Sequence, residues 1–115
     1  MAAPIQVTDE TFSTAIEAQP GLVVVDFWAQ WCAPCRALGP IVDRLAASND
    51  GIATFAKLNV DENPDVSMRF QVQSIPTLLF FRDGTLVDRT MGLVPESILQ
   101  TKIDQLTKSP ASQVA

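Results

Sequence analysis

Hydrophobic positions along the chain alternate between runs typical of buried strands and spacings typical of helices. The run LVVVDFWA at residues 22–29 is almost entirely β-branched, aromatic or aliphatic, which favours a central strand buried on both faces. In residues 33–50, Leu38, Ile41 and Leu45 recur at spacings of three and four, which predicts a helix with one apolar face.

The same signals predict nine elements in the order βαβαβαββα. Five strands are predicted, at residues 5–8, 22–29, 52–60, 77–81 and 86–91. Four helices are predicted, at residues 11–19, 33–50, 64–72 and 96–108. The turn residues Asp83 and Gly84 join the last two strands into a hairpin. Parallel βαβ units followed by a hairpin and a last helix predict an α/β fold with a central mixed five-stranded sheet, flanked by the four helices on both faces.

Length and composition fit one globular domain. The chain has 115 residues, 47% of them hydrophobic and 18% charged, which excludes a disordered or fibrous class. We expect a single domain over residues 1–108 and a frayed C-terminal tail over residues 109–115.

Charge and hydropathy limit the partners. The formal net charge is −5 and the basic residues are scattered singly, so we expect neither a nucleic-acid nor an anionic membrane surface as partner. The start MAAPIQVTDE lacks the basic and apolar regions of a secretory signal, and no apolar run approaches the roughly 20 residues that span a bilayer. These features predict a cytoplasmic protein, and a single exposed apolar face predicts a monomer.

The chemistry is concentrated in the only two cysteines, Cys32 and Cys35. A zinc site would need two more soft ligands, and the chain has no histidine and no further cysteine, so no metal is expected unless a dimer or carboxylates completed the site. Two inert core thiols are a second alternative, but these lie beside Pro34 in a loop-to-helix turn rather than within a strand or helix.

A redox dithiol is the third interpretation and fits the spacing. It needs one exposed cysteine at a helix N-terminus, where the dipole and free N–H groups favour the thiolate, and a second about one turn on, within disulfide reach. Cys32 and Cys35, with Pro34 in the first helical turn, meet these requirements. Cys32 is the predicted nucleophile and Cys35 the resolving thiol, through a mixed disulfide.

Asp26 is the predicted proton acceptor for Cys35. A buried thiol ionises poorly and needs a base, and Asp26 lies on the strand that leads into the cysteine turn. Burial would raise the pKa of this carboxyl toward neutrality. A structural buried acid paired with Lys57 on the neighbouring strand is the alternative, compatible with the first, and Lys57 is counted with the catalytic residues.

Over residues 5–108 the chain resembles the thioredoxin family. The resemblance rests on the strand and active-site block DFWAQWCAPC, the segment SIPT, the hairpin FFRDGTLVDRTMG and Pro40 in the helix, all in the family's order and spacing. It implies the thioredoxin fold and a protein-disulfide reductase whose redox group is the cysteine pair, with no bound cofactor. It also implies a thioredoxin reductase and diverse disulfide-containing proteins as partners.

The resemblance further implies a cis peptide before Pro76, which then lies against the cysteines, and a client peptide extended along the loop at Ile75. The family's apolar contact surface corresponds to seven residues here: Trp31, Ala33, Pro34, Ile75, Pro76, Gly92 and Leu93. Ala33 replaces the usual glycine and Arg36 a common lysine, and both leave the expected catalytic groups in place.

Two other functions compete. A disulfide oxidase or isomerase on the same fold usually carries histidine before the second cysteine, where this chain has Pro34. A non-redox protein-binding subunit would not need Cys32, Cys35, Asp26 and Pro76 together. We therefore expect a reductant of client disulfides.

Overall fold

The computed structural model describes residues 2–108, so the predicted tail at residues 109–115 lies outside the described residues. Its five strands are β1 (Ile5–Gln6), β2 (Leu22–Trp28), β3 (Ala53–Asn59), β4 (Thr77–Arg82) and β5 (Thr85–Met91). A π-helical turn spans Ser13–Glu17, and three α-helices follow it: α1 (Ala33–Ser48), α2 (Pro64–Arg69) and α3 (Glu96–Leu106). The predicted element order is confirmed.

The strands form one mixed sheet in the order β1-β3-β2-β4-β5. β3 runs parallel to both β1 and β2, whereas β4 is antiparallel to β2 and to β5. β2 is therefore the central strand, and all but its last residue are buried, as its apolar sequence predicts. The predicted mixed sheet with helices on both faces is confirmed.

Alternation along β2 divides the core into two layers. Val23, Val25 and Phe27 pack toward the π-helical turn and α2, whereas Leu22 and Val24 pack toward α1 and α3. Asp26 follows Val24 by two residues and Leu22 by four, so its side chain lies on the same face of the strand and is directed toward α1. A carboxylate thus lies in a layer that is otherwise apolar.

Three predicted elements are shorter or of another type. β1 ends early because Thr8 turns the chain, its N–H donating to the Thr11 hydroxyl. The first helix is π-helical over Ser13–Glu17, with the Ala18 N–H donating five residues back to Ser13. α2 ends at Arg69 rather than residue 72, because Gln71 has a left-handed φ of 56° that an α-helix cannot continue.

The predicted hairpin is formed by β4 and β5. Asp83 and Gly84 both have positive φ, 50° and 83°, which suits the tight turns that match strand twist. The Asp83 carboxylate accepts a hydrogen bond from the Gly21 N–H at 2.8 Å, which ties the turn to the start of β2. Among the helices of residues 2–108, none combines the length and hydropathy needed to cross a membrane.

Candidate active site

The cysteine pair lies where β2 leads into α1. Cys32 has extended backbone (φ −89°, ψ 107°) and caps the helix, and Pro34 stands in the first turn, where its missing N–H leaves no bond unmade. The two cysteines form a disulfide with Cα atoms 5.2 Å apart. The Cys35 N–H donates to Cys32 Sγ at 3.2 Å, so a free helix-end donor points at the first sulfur. The same donor would favour negative charge on Cys32 once the bond is reduced.

Cys32 is less exposed than its position at the helix start predicts. Both cysteines are 4% exposed in the disulfide state, and Trp28, Val60 and Ile75 pack around them. The prediction of an exposed first cysteine is therefore wrong for the residue as a whole. The reason is tertiary: the loop before β4 covers the turn, and the Ile75 carbonyl oxygen lies 3.8 Å from Cys32 Sγ.

A cavity beneath the disulfide connects Cys35 with the buried acid. The cavity measures about 280 Å³, and Asp26, Trp28, Cys35 and Lys57 are among the residues that line it. Asp26 is 2% exposed, and its Oδ1 has no hydrogen-bond partner among the described residues. An unpartnered carboxyl oxygen in a cavity shared with a thiol can receive a proton directly or through water.

Burial sets the ionisation of Asp26. Its pKa is raised from 3.8 to about 7, because desolvation by burial outweighs the smaller lowering by the nearby Lys57 and the like charge of Asp43 adds to the rise. The pKa shift expected from the sequence has the same direction. A carboxyl that titrates near pH 7 is suited to exchange protons at neutral pH.

Lys57 pairs with a different acid from Asp26, its partner in the alternative interpretation. It stands opposite Asp26 in the β2–β3 register, yet its ammonium forms an ion pair with Asp43 of α1, at 3.3 Å from Oδ1. Within residues 2–108, Asp26 forms no ion pair within 4.0 Å. Lys57 thus acts on Asp26 through space, and sequence reasoning missed Asp43 because nothing local in the helix marks it.

The structure brings the predicted contact residues together around the disulfide. The Ile75–Pro76 peptide is cis, as the resemblance implies, and the Gly92 N–H donates to the Pro76 carbonyl at 2.8 Å. This bond holds Gly92 and Leu93 beside the loop that touches Cys32. Ile75 is partly exposed and Pro76 buried, while five residues form the open part: Trp31, Ala33, Pro34, Gly92 and Leu93.

A shallow groove adjoins this surface. It measures about 250 Å³ and runs between Trp31 and Ile75, with Val60, Val72 and Gln73 among its walls. Trp31 is 67% exposed, and its indole N–H donates to Asp61 at 2.9 Å, which fixes the ring. Val60, Val72 and Gln73 were not predicted, since they come from separate loops that only the fold brings together.

Arg36 closes the cysteine turn from the other side. Its guanidinium donates to the Gln30 carbonyl at 2.7 Å, so this side chain links the first turn of α1 to the loop before it. Arg36 also lines the cavity beneath the disulfide. As for metal ligands, residues 2–108 hold no group of three or more acidic, histidine or cysteine side chains that could bind an ion.

The fold and the site define a thiol–disulfide exchange protein. A helix-capping cysteine and a second cysteine one turn on are bonded, and a titratable acid lies underneath. This arrangement carries two electrons without a further group, because opening and closing the bond is itself the redox change.

Comparisons with known proteins agree. The family model described as thioredoxin matches residues 3–105. The thioredoxin of Chlorobaculum thiosulfatiphilum is 44% identical over 100 residues, covering 87% of this chain and 93% of its own length. That of Staphylococcus epidermidis is 44% identical over 103 residues, covering 90% and 97%. A solved mutant thioredoxin from Halobacterium salinarum NRC-1 has 36% identity and a TM-score of 0.85, covering 93% of each chain.

The chain belongs to the thioredoxin family. It is a thiol–disulfide oxidoreductase of the protein-disulfide reductase class.

Proposed function

We propose that the protein reduces disulfides in client proteins by dithiol exchange, with Cys32 as nucleophile and Cys35 as resolving thiol. The Cys32 thiolate attacks one client sulfur, and the other client sulfur leaves as a thiolate that takes a proton from water. Cys35 then loses its proton and attacks Cys32 Sγ, which releases the second client thiolate. The client gains two electrons, and the Cys32–Cys35 bond is formed.

The observation that carries this proposal is the cavity shared by Cys35 and Asp26 beneath the disulfide. Asp26 is the group that accepts the Cys35 proton, since its free Oδ1 lies in that cavity and its pKa is about 7. Lys57 assists by its charge, which offsets part of the effect of burial and keeps the pKa of Asp26 near neutrality. Attack by Cys32 needs no such base because the helix N-terminus already favours its thiolate.

Clients bind along the apolar surface around the disulfide. A peptide laid out beside Ile75 and Pro76 would present its sulfur to Cys32, whose Sγ lies 3.8 Å from the Ile75 carbonyl oxygen. Main-chain pairing of this kind tolerates many client sequences. The exposed side chains around it contribute apolar contact, and these belong to Trp31, Ala33, Pro34 and Leu93, while Gly92 offers its exposed backbone.

A thioredoxin reductase returns electrons to the pair, and no bound cofactor is needed because the disulfide is the redox group. We place the protein in the cytoplasm, where thiols are kept reduced, and expect a monomer whose exposed apolar face is reserved for transient partners. The acidic charge of −5 supports protein rather than nucleic-acid partners.

The reduction potential of the Cys32–Cys35 pair tests the direction of electron flow. Equilibration in thiol redox buffers, followed by the fluorescence of Trp28 and Trp31 near the disulfide, gives the value. A potential below about −250 mV supports a reductant, since it lies with the cytosolic thiol pool. A potential of about −180 mV or higher would make the protein an oxidase or isomerase and overturn the proposal.

The Asp26→Asn variant tests the proton acceptor. We expect attack on a client disulfide to stay near the wild-type rate, while resolution slows by about 10²-fold or more, so that mixed disulfide accumulates. Rapid acid quenching and mass spectrometry of the trapped species measure this. Resolution at the wild-type rate would remove Asp26 from the mechanism and leave the two cysteines in place.

A further inference from the structure

Two acids compete for one ammonium on the α1 face of the sheet. Asp26 and Lys57 are register partners on adjacent parallel strands, and neighbouring strands lie only about 4.8 Å apart. Pairing between the two would therefore need no movement of the backbone. Lys57 forms its ion pair with Asp43 instead, and Oδ1 of Asp26 stays without a partner.

The position of the ammonium explains this choice. Lys57 Nζ lies 3.7 Å from where a Cβ on Gly39 would stand, so its side chain passes across α1 between Cys35 and Asp43. The Asp43 side chain is 59% exposed and the Lys57 side chain 19% exposed, so the pair forms at the edge of the cavity. An ammonium that moved inward to Asp26 would lose more of its hydration, and this cost favours the outer carboxylate.

We propose that Asp43 is a positioning residue for proton transfer at Asp26, because it holds Lys57 away from the buried carboxyl and keeps that carboxyl free to accept a proton. This inference rests on the proposed role of Asp26 and adds the group that maintains it. A direct Asp26–Lys57 pair would keep the carboxylate charged and make it a weaker base, since an opposite charge at close range favours ionisation.

The charged groups around Asp26 are few enough to assign each effect. Lys57 comes from β3, and α1 contributes Asp43 and Arg36, while Cys35 carries no charge in the disulfide. Arg36 is held by the Gln30 carbonyl. Lys57 lowers the pKa of Asp26 and Asp43 raises it. Loss of Asp43 should therefore lower the pKa of Asp26 in two ways, because it removes a like charge and it frees Lys57 to approach Asp26.

The test follows the titration of Asp26 in the full-length disulfide form by the carboxyl carbon resonance in NMR, assigned with Asp26→Asn. In Asp43→Asn we expect the midpoint to fall by about one pH unit. Asp43→Glu, which restores the charge, should return it to within about 0.3 unit of wild type. The matched control is Asp50→Asn, the same charge change at an exposed residue beyond the end of α1, and it should leave the midpoint in place.

Action through Lys57 is tested by a double-mutant cycle. In a Lys57→Met background, Asp43→Asn should shift the midpoint by less than half of its effect in the wild-type background, because no ammonium remains to be released. An equal shift in both backgrounds would mean that Asp43 acts only by its own field and would overturn the positioning role. A midpoint unchanged by Asp43→Asn would overturn it as well.

The pH profile of resolution separates this inference from the function on which it rests. The NMR titration contains no catalytic step, so it reports the effect of Asp43 and Lys57 on Asp26 independently of catalysis. If Asp43→Asn shifts the NMR midpoint through Lys57, as the double-mutant cycle measures, and the resolution profile moves with it, both proposals stand. If the midpoint shifts through Lys57 and the profile does not move, Asp26 is not the proton acceptor, whereas the positioning of Lys57 by Asp43 stands.

Discussion

At the scale of single residues, the burial of Asp26 in an apolar layer has a cost in stability that depends on pH. It is 2% exposed, and burial raises its pKa to about 7. In the unfolded chain the same carboxyl returns to 3.8, so between these values the folded state holds a proton that the unfolded state has lost. Stability must therefore fall as pH rises through this window.

Asp26→Asn should remove that pH dependence. The amide cannot ionise, so we expect the variant to exceed wild type by up to about 4 kcal/mol in free energy of unfolding at pH 8. The gain should shrink steadily and vanish near pH 4, where the wild-type carboxyl is neutral in the folded state. Urea unfolding at pH 4, 6 and 8 measures it, with Asp50→Asn as the control. A gain independent of pH would contradict this origin.

Cys32, Cys35 and Asp26 can be proposed as site residues from the sequence, because each departs from its local pattern: two thiols in a turn and an acid in an apolar strand. Asp43 shows no such departure, since an acid on a helix is ordinarily a solvated residue. The role proposed for Asp43 depends on where the Lys57 side chain lies. That choice is tertiary, and the spacing of residues does not encode it.

At the scale of elements, backbone geometry and close packing both require a glycine in the β4–β5 turn. Gly84 has φ of 83°, and a Cβ there would overlap the Glu17 carbonyl oxygen at the end of the π-helical turn. The hairpin can approach that segment only because position 84 has no side chain.

Gly84→Ala should therefore destabilise far more than an ordinary glycine substitution. We expect a loss of about 3 kcal/mol or more, from the left-handed backbone and the overlap together. Gly51→Ala is the matched control, since Gly51 has φ of 81° and nothing within 4 Å of its missing Cβ, and it should lose about 1 kcal/mol. If denaturant unfolding gave equal losses of stability for the two variants, the left-handed backbone alone would account for the loss at Gly84, without a contribution from the overlap.

Long periodic elements are those that the sequence predicts best. β2 and α1 follow from long apolar patterns, and their bounds differ from prediction by one or two residues. β1 and α2 end earlier than predicted, because single residues determine where these elements end. Thr8 bonds to Thr11 and turns the chain, and Gln71 adopts a left-handed conformation. Such local features end a strand or helix without changing the hydrophobic periodicity of the sequence, so the periodicity does not reveal them.

At the scale of the whole molecule, the Cys32–Cys35 disulfide closes a very short loop. The length of that loop limits how much the disulfide can stabilise the fold. The cysteines are three residues apart in sequence, so closing the loop removes little freedom from the unfolded chain.

We expect reduction to lower the free energy of unfolding by about 2 kcal/mol, on loop entropy alone. Guanidinium unfolding with and without reductant measures this, as a lower midpoint at an unchanged slope. The Cys32→Ser/Cys35→Ser variant is the control and should not respond to reductant. A reduced form as stable as the disulfide form would mean that the disulfide adds nothing to the folded molecule.

The cavity beneath the disulfide also links electrons to protons. The chain has no histidine, so a buried carboxyl takes the place of the side chain that ordinarily titrates near neutrality. Opening the bond places up to two sulfur charges beside that carboxyl, and each charge opposes the others. We therefore expect the number of protons that accompany each pair of electrons to change around pH 7. Small drifts in the acidity of the surroundings would thus alter the driving force that the protein delivers.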